Sequence, residues 1–256
     1  MLDEAQLESK VFHMICTPER CINLVKGICH KRKHKNMAFE SDQGRGQSTN
    51  RPIFVWEPME GSCQGENLDS FLEAMKYIDV FSPNAEEFAK LLGRNTDTLS
   101  PQELEANCNH LLYAGFEDEP CAVVVRLGTR GAYVAQRLRH SHFPAYYQPL
   151  GTTTITLPSE NRIVDVTGGG NTFLGAFCVG LVDLARDSQL TEFESAAMLG
   201  NVAASFAIEQ VGMPKLSVGK DGTETWNGDR PADRLLKYET RLQPLSYGPV
   251  SRQETR

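Results

Sequence analysis

Apolar and polar positions along this chain follow two rhythms in turn, a period of two and a period near 3.6. Val11-Phe12-His13-Met14-Ile15-Cys16 reads as a strand, and Thr17-Pro18-Glu19 opens a helix with Thr17 at the N-cap and Pro18 in the first helical position. Ile22, Val25 and Ile28 supply that helix's apolar stripe, and Ile53-Phe54-Val55-Trp56 is a second strand. Leu68, Phe71, Leu72 and Met75 then fall at i, i+3, i+4 and i+7, a helical spacing. Ile78-Asp79-Val80-Phe81 is strand again, followed by a short helix through Phe88, Leu91 and Leu92 that stops at Gly93. Ser100-Pro101-Gln102-Glu103 is a capping box that predicts a helix to about Leu112. Ala122-Val123-Val124-Val125 is a continuous apolar run, as in a central parallel strand buried on both faces. Residues 131–135 and 154–157 read as shorter strands, and 171–185 and 192–210 as helices. Strands alternating with helices predict an α/β domain with a mostly parallel sheet.

Two stretches fall outside this pattern. Residues 40–51 are polar and glycine-rich, a surface loop or insertion. From about Lys215 the chain is polar, with one helix-like piece near Pro231–Leu242 and an end expected to be disordered. The expected division is therefore a domain over 1–215, carrying the loop 40–51, and a tail over 216–256.

Composition narrows the function. In 256 residues, 26 Lys and Arg stand against 33 Asp and Glu, a net charge of −7. That balance argues against a nucleic-acid backbone or an anionic membrane as partner. The basic run His30-Lys31-Arg32-Lys33-His34-Lys35 fits a solvated C-terminal helix end better than a nucleic-acid or nuclear-import signal. The first residues are acidic with no apolar h-region, and the apolar stretches 173–185 and 196–208 are shorter than the roughly 20 residues a span needs. Seven cysteines, with no C-x-x-C, suggest reduced thiols. A cytoplasmic setting is expected. His140 and His142 are spaced like a metal pair but have no third ligand nearby, so a surface loop is expected.

The candidate chemistry lies in Ile163-Val164-Asp165-Val166-Thr167-Gly168-Gly169-Gly170-Asn171-Thr172, read as a strand running through three glycines into an apolar helix. Such a junction leaves N–H groups unshielded at the positive end of a helix dipole, which suits a phosphate; it would equally serve a tight strand-to-helix turn.

This segment resembles the C-terminal signature of the pfkB family, the ribokinase-like carbohydrate and nucleoside kinases, whose pattern is Asp-Thr-x-Gly-Ala-Gly-Asp. Asp165, Gly168, Gly170, Gly175 and Ala176 match, with Thr167 one place past the usual Thr and Gly169 for the usual Ala. Ser82-Pro83-Asn84-Ala85-Glu86-Glu87 resembles the family's Pro-Asn-x-x-Glu segment, and residues 123–131 its nucleotide loop, with Arg126 where a Thr is usual. Asn201-Val202-Ala203-Ala204 resembles the segment flanking the adenine. These segments span roughly residues 10–212, and the spelling Thr-Gly-Gly-Gly-Asn with Trp226-Asn227-Gly228 looks closest to a fungal branch associated with maintenance-of-killer proteins.

The resemblance implies a ribokinase-like three-layer α/β/α fold and a phosphotransferase that binds Mg²⁺ and ATP and acts on a hydroxyl of a sugar or nucleoside. It implies an anion hole at Gly168, Gly169 and Gly170, a turn fixed by Asp165, Mg²⁺ support from Asn84 and Glu87, and a nucleotide bordered by Arg126, Gly128, Gly131 and Asn201. Asn84 and Glu87 would also form a capping box without any metal, and Arg126 could be an ordinary surface arginine.

Two departures stand out. The family's general base is the Asp closing the glycine turn, and here Asn171 occupies that position. Nothing in residues 1–52 resembles the family's sugar-binding Gly-Gly-x-x-x-Asn segment or its β lid, so the domain is expected to be N-terminally incomplete. A weak or degenerate kinase is the first expectation; a pseudokinase scaffold acting through a protein partner or a homodimer is its rival. A dinucleotide-binding oxidoreductase would want G-x-G-x-x-G after the first strand, where Cys16-Thr17-Pro18-Glu19 stands instead.

Overall fold

A computed structural model describes residues 2–40, 51–94, 99–147, 162–183 and 189–242. In chain order the elements are α1 (Glu4–Leu7), β1 (Val11–Cys16), α2 (Pro18–Glu40), β2 (Ile53–Pro58), α3 (Leu68–Met75), β3 (Val80–Phe81), α4 (Ala85–Leu91), α5 (Pro101–Gly115), β4 (Ala122–Arg126), β5 (Ala132–Gln136) and β6 (Arg139–Phe143). They continue with α6 (Gly169–Asp183), α7 (Glu192–Ala207), β7 (Leu216–Val218), β8 (Glu224–Trp226) and α8 (Pro231–Leu242). Strands β1 to β6 form one sheet in sequence order; β1 to β4 run parallel, while β5 and β6 return antiparallel.

The period of two sends alternate strand residues into two cores. Phe54, Trp56, Phe81, Val123 and Val125 join one core with residues of α2, α3, α4 and α5. Val55, Val80, Ala122, Val124 and Val134 join the other with residues of α6, α7 and α8. The result is the expected three-layer α/β/α arrangement. In the first core Trp56 stacks on Phe71 and packs against Phe81 at centroid distances of 5.0 and 5.1 Å, and its Nε1 donates to the Cys16 carbonyl at 2.9 Å. In the second, α6 and α7 approach closely where Gly200 meets the Phe173 ring.

Several expectations need correction. Helix α2 continues to Glu40, so the basic run 30–35 lies inside the helix rather than at its end. His140 and His142 belong to β6, not to a loop. His140 is held by the Tyr133 hydroxyl and Asn109 Oδ1, at 2.9 and 3.0 Å, and His142 faces the Arg130 carbonyl. The residues before the glycines form no strand: the N–H groups of Val164 and Asp165 donate to the Ile208 carbonyl at the end of α7 instead of to a sheet neighbour. The expected strand 154–157 and most of the loop 40–51 lie outside the described residues.

Past Lys215 the chain makes the β7–β8 hairpin and then α8, which packs into the second core through Arg234, Tyr238 and Leu242. Arg234 is buried against the Phe206 ring at 3.6 Å and pairs with Glu209 at 2.8 Å. All seven cysteines are free thiols. No helix among the described residues is long and apolar enough to cross a membrane.

Gly131, between β4 and β5, has φ +90°, and a Cβ placed there would lie 2.0 Å from the Phe143 carbonyl oxygen. Gly131→Ala is therefore expected to cost about 3 kcal/mol or more through strain and overpacking. In a thermal melt that is a fall of roughly 6–12 °C; an unchanged melt would contradict this packing role.

Candidate phosphate site at the strand ends

The parallel strands end together on one edge of the sheet, where α/β folds bind ligands. Beyond β3, Ser82 still donates its N–H to the Trp56 carbonyl at 2.8 Å, and the Arg126 N–H donates to the Pro83 carbonyl at 3.0 Å. Asn84 therefore lies beside Arg126 in a parallel bridge. Asn84 also caps α4: its Oδ1 accepts the Glu87 N–H at 2.9 Å, and its own N–H donates to Glu87 Oε2 at 2.7 Å. The capping box expected from the sequence is present, and it points the Glu87 carboxylate inward.

Arg126, at the end of β4, fills the space between these elements. Its Nη2 lies 2.8 Å from Glu57 Oε1, 3.2 Å from the Ser82 carbonyl and 3.5 Å from Glu87 Oε2. The other Glu57 oxygen lies 3.0 Å from His13 Nε2. Both carboxylates are buried, and the two respond differently. Burial pushes Glu57 up, but the hydrogen bond from His13 and the charge of Arg126 outweigh it, leaving this carboxyl below its ordinary value. For Glu87 burial prevails over the Asn84 N–H and the Arg126 charge, and neighbouring Glu57 adds to the rise, so that carboxyl sits above its ordinary value.

The glycine turn closes over this cluster. Gly168 has φ +83°, a conformation that favours glycine, and the Asp165 carboxylate accepts the Thr167 N–H at 3.0 Å to hold the turn. That bond holds Asp165 below the usual carboxylate range. Gly168 has no side chain with which to cap α6, and among the described residues no acceptor is found for the N–H groups of Gly170 and Asn171. A Cβ on Gly170 would lie 2.8 Å from Arg126 Nη1, so the guanidinium sits directly against the first turn of α6. Asn171 is exposed there.

The structure thus brings Arg126, Asn84, Glu87 and Gly170 together, with Gly168, Gly169, Asp165 and Asn171 in the adjoining turn. Gly128, two residues past Arg126, has φ +60° and open space around it. Gly131 and Asn201 meet elsewhere, at the end of β6: Gly131 packs on the Phe143 carbonyl, and Asn201 Nδ2 donates to that carbonyl at 3.2 Å and to the Tyr238 hydroxyl at 2.9 Å. Sequence reasoning missed Glu57 and His13; the available signal was a carboxylate placed directly after the apolar strand residues 53–56.

A divalent cation fits this donor set poorly. The Glu87 carboxylate and the Asn84 amide oxygen already accept the two cap N–H groups, and a guanidinium that cannot be deprotonated lies against both carboxylates. No group of three or more His, Cys, Asp or Glu suited to a metal ion occurs among the described residues.

The model of the pfkB family of carbohydrate kinases matches residues 58–216. The chain belongs to the pfkB family. Among its pfkB relatives, the protein MAK32 of Saccharomyces cerevisiae is 30% identical over 242 residues, covering 90% of this chain and 57% of MAK32. An uncharacterized protein of Schizosaccharomyces pombe is 28% identical, covering 93% of this chain and 62% of its own length. This pfkB chain thus spans about three fifths of the length of both relatives. The solved structure of Arabidopsis thaliana ribokinase, complexed with ribose and ATP, superposes with a TM-score of 0.55 at 16% identity, covering 97% of this chain and 61% of that one. It shows the same ribokinase-like fold.

Replacing Glu57 by Gln leaves the largely buried Arg126 charge, 11% exposed, with one carboxylate fewer and is expected to cost about 3 kcal/mol at neutral pH. Since the folded chain holds this carboxyl low, the difference is full above the ordinary carboxylate pKa and shrinks as pH falls through the folded value. Glu87→Gln removes a carboxyl that is held high and is expected to cost only about 1 kcal/mol, the scale of a weakened helix cap. Urea denaturation of the three chains across the carboxylate range checks both; equal costs at neutral pH would contradict the assignment.

Proposed function

We propose that this chain binds the phosphates of ATP at the first turn of α6 and descends from phosphotransferases acting on a hydroxyl of a sugar or nucleoside, with the transfer step itself weakened. The observation that carries the reading is the glycine turn held against Arg126, with a Cβ on Gly170 only 2.8 Å from Nη1. Backbone N–H groups, the positive end of the helix and a fixed guanidinium converge on one point, a combination suited to a phosphate.

Asn171 sets the limit on chemistry. It is exposed on the first turn of α6, where an acceptor hydroxyl would need a base. An amide does not take that proton, and general-base help is worth roughly 10²–10⁴-fold. Positioning and charge stabilisation carry much of phosphoryl transfer, so slow turnover remains consistent with this site. A second reading, a scaffold that keeps the fold and acts through a protein partner, is favoured by Asn201 and Gly131, whose contacts lie within the fold.

Two variants test the proposal. Gly170→Val crowds Arg126 Nη1, which has no hydrogen bond among the described residues, rather than any backbone, so it should spare the fold and weaken ATP binding at least ~10-fold in calorimetric titration, the loss expected for one charge-assisted contact. Asn171→Asp is expected to raise phosphotransfer to a sugar or nucleoside at least ~10-fold, within the general-base range. A folded wild-type chain that ignores ATP would favour the scaffold.

A further inference from the structure

The charge arrangement beneath the glycine turn leads beyond nucleotide binding. Glu57 and Glu87 are both buried, and both lie within 3.5 Å of the same Arg126 nitrogen. Two carboxylates so placed repel each other unless a cation lies between them. In many phosphate sites that cation is a bound metal ion, which bridges protein carboxylates and the incoming phosphate. Here the position between them is taken by a side chain.

We infer that Arg126 replaces the divalent cation of this site: it neutralises Glu57 and Glu87 from inside the fold, presents Nη1 to a phosphate at Gly170, and lets the chain bind phosphate groups without a metal ion. This inference rests on the proposed phosphate site at α6.

Three features support it. Arg126 is fixed rather than mobile: Nη2 is shared among Glu57, Glu87 and the Ser82 carbonyl, and its backbone N–H is bonded to Pro83. Its remaining N–H groups are unclaimed: the buried Nε has no partner, and no hydrogen bond from Nη1 is found among the described residues. A guanidinium is permanently charged and planar, and it binds phosphate oxygens through directed N–H donors. A metal ion entering between the carboxylates would have to expel this charge and disrupt the α4 cap. The glycine at position 170 follows from the same arrangement, since a larger side chain would occupy the space beside Nη1.

The test uses the full chain and two probes. ATP is titrated calorimetrically in EDTA and again with excess Mg²⁺, and free Mn²⁺ is followed by electron paramagnetic resonance without nucleotide. The wild type is expected to bind ATP in EDTA within about threefold of its affinity in Mg²⁺, and to leave millimolar Mn²⁺ free. Arg126→Thr, with its fold checked by circular dichroism, is expected to lose at least ~10-fold in ATP affinity in EDTA, the scale of a charge-assisted hydrogen bond, and to acquire Mn²⁺ binding at the released carboxylates. ATP binding by the wild type only in Mg²⁺, or Mn²⁺ binding by the wild type that Glu87→Gln abolishes, would overturn the inference and leave the nucleotide site standing. No ATP binding in either medium would overturn both. The wild-type comparison decides the matter even if Arg126→Thr does not fold.

Discussion

The guanidinium of Arg126 is where the architecture and the site depend on each other. It ends β4, bonds to the carboxylate that follows the apolar residues of β2, reaches the carboxylate of the α4 cap, and lies against the first turn of α6. A buried charge is tolerable only with partners, so those elements cannot shift independently without exposing or orphaning it. The two acids share the arginine unequally. Glu57, bonded also to His13, is held below the usual carboxylate range, whereas Glu87, with burial prevailing, is held above it. The cluster therefore carries one firm counter-ion and one acid that gives up its charge more readily.

Much of the fold was legible because its signals are local. The period-two runs at Val11–Cys16 and Ile53–Trp56 and the helical spacing at Leu68–Met75 each specify an element within a few residues. The boxes at Ser100 and Asn84 fix helix starts through contacts only three residues apart. The misses share the opposite property. Strand β6, Arg-His-Ser-His-Phe, is polar by composition, and only its pairing with β5 and the burial of Ser141 and Phe143 make it a strand. Val164 and Val166 look like strand residues, yet both are exposed while the segment is tied to the end of α7. The β7–β8 hairpin has strands of three residues and little periodicity to read.

The candidate site divides in the same way. The glycine turn and the Asn84–Glu87 pair are contiguous motifs and were found. Glu57 and His13 join the site only when β1, β2 and β4 are side by side, 44 residues separating His13 from Glu57 and 69 separating Glu57 from Arg126. Gly131 and Asn201, expected at the nucleotide from the resemblance, make contacts that the sequence did not reveal, at the end of β6 and with Tyr238 of α8. The arginine in a threonine's place, expected either beside the nucleotide or as an ordinary surface residue, also organises the strand ends.

In the proposed function a phosphate group binds between Arg126 and the first turn of α6. The most direct measurement of this binding is a nuclear magnetic resonance titration of the isotopically labelled chain with ATP, following the backbone amides of Gly168 to Thr172 and the Arg126 side-chain N–H signals. The amides of Gly169, Gly170 and Asn171 and the Arg126 side-chain signals are expected to shift together along one saturating curve. Saturable binding that leaves all of these unmoved, with changes confined to the cleft beside Arg162 and Lys215, would contradict this placement of the phosphate.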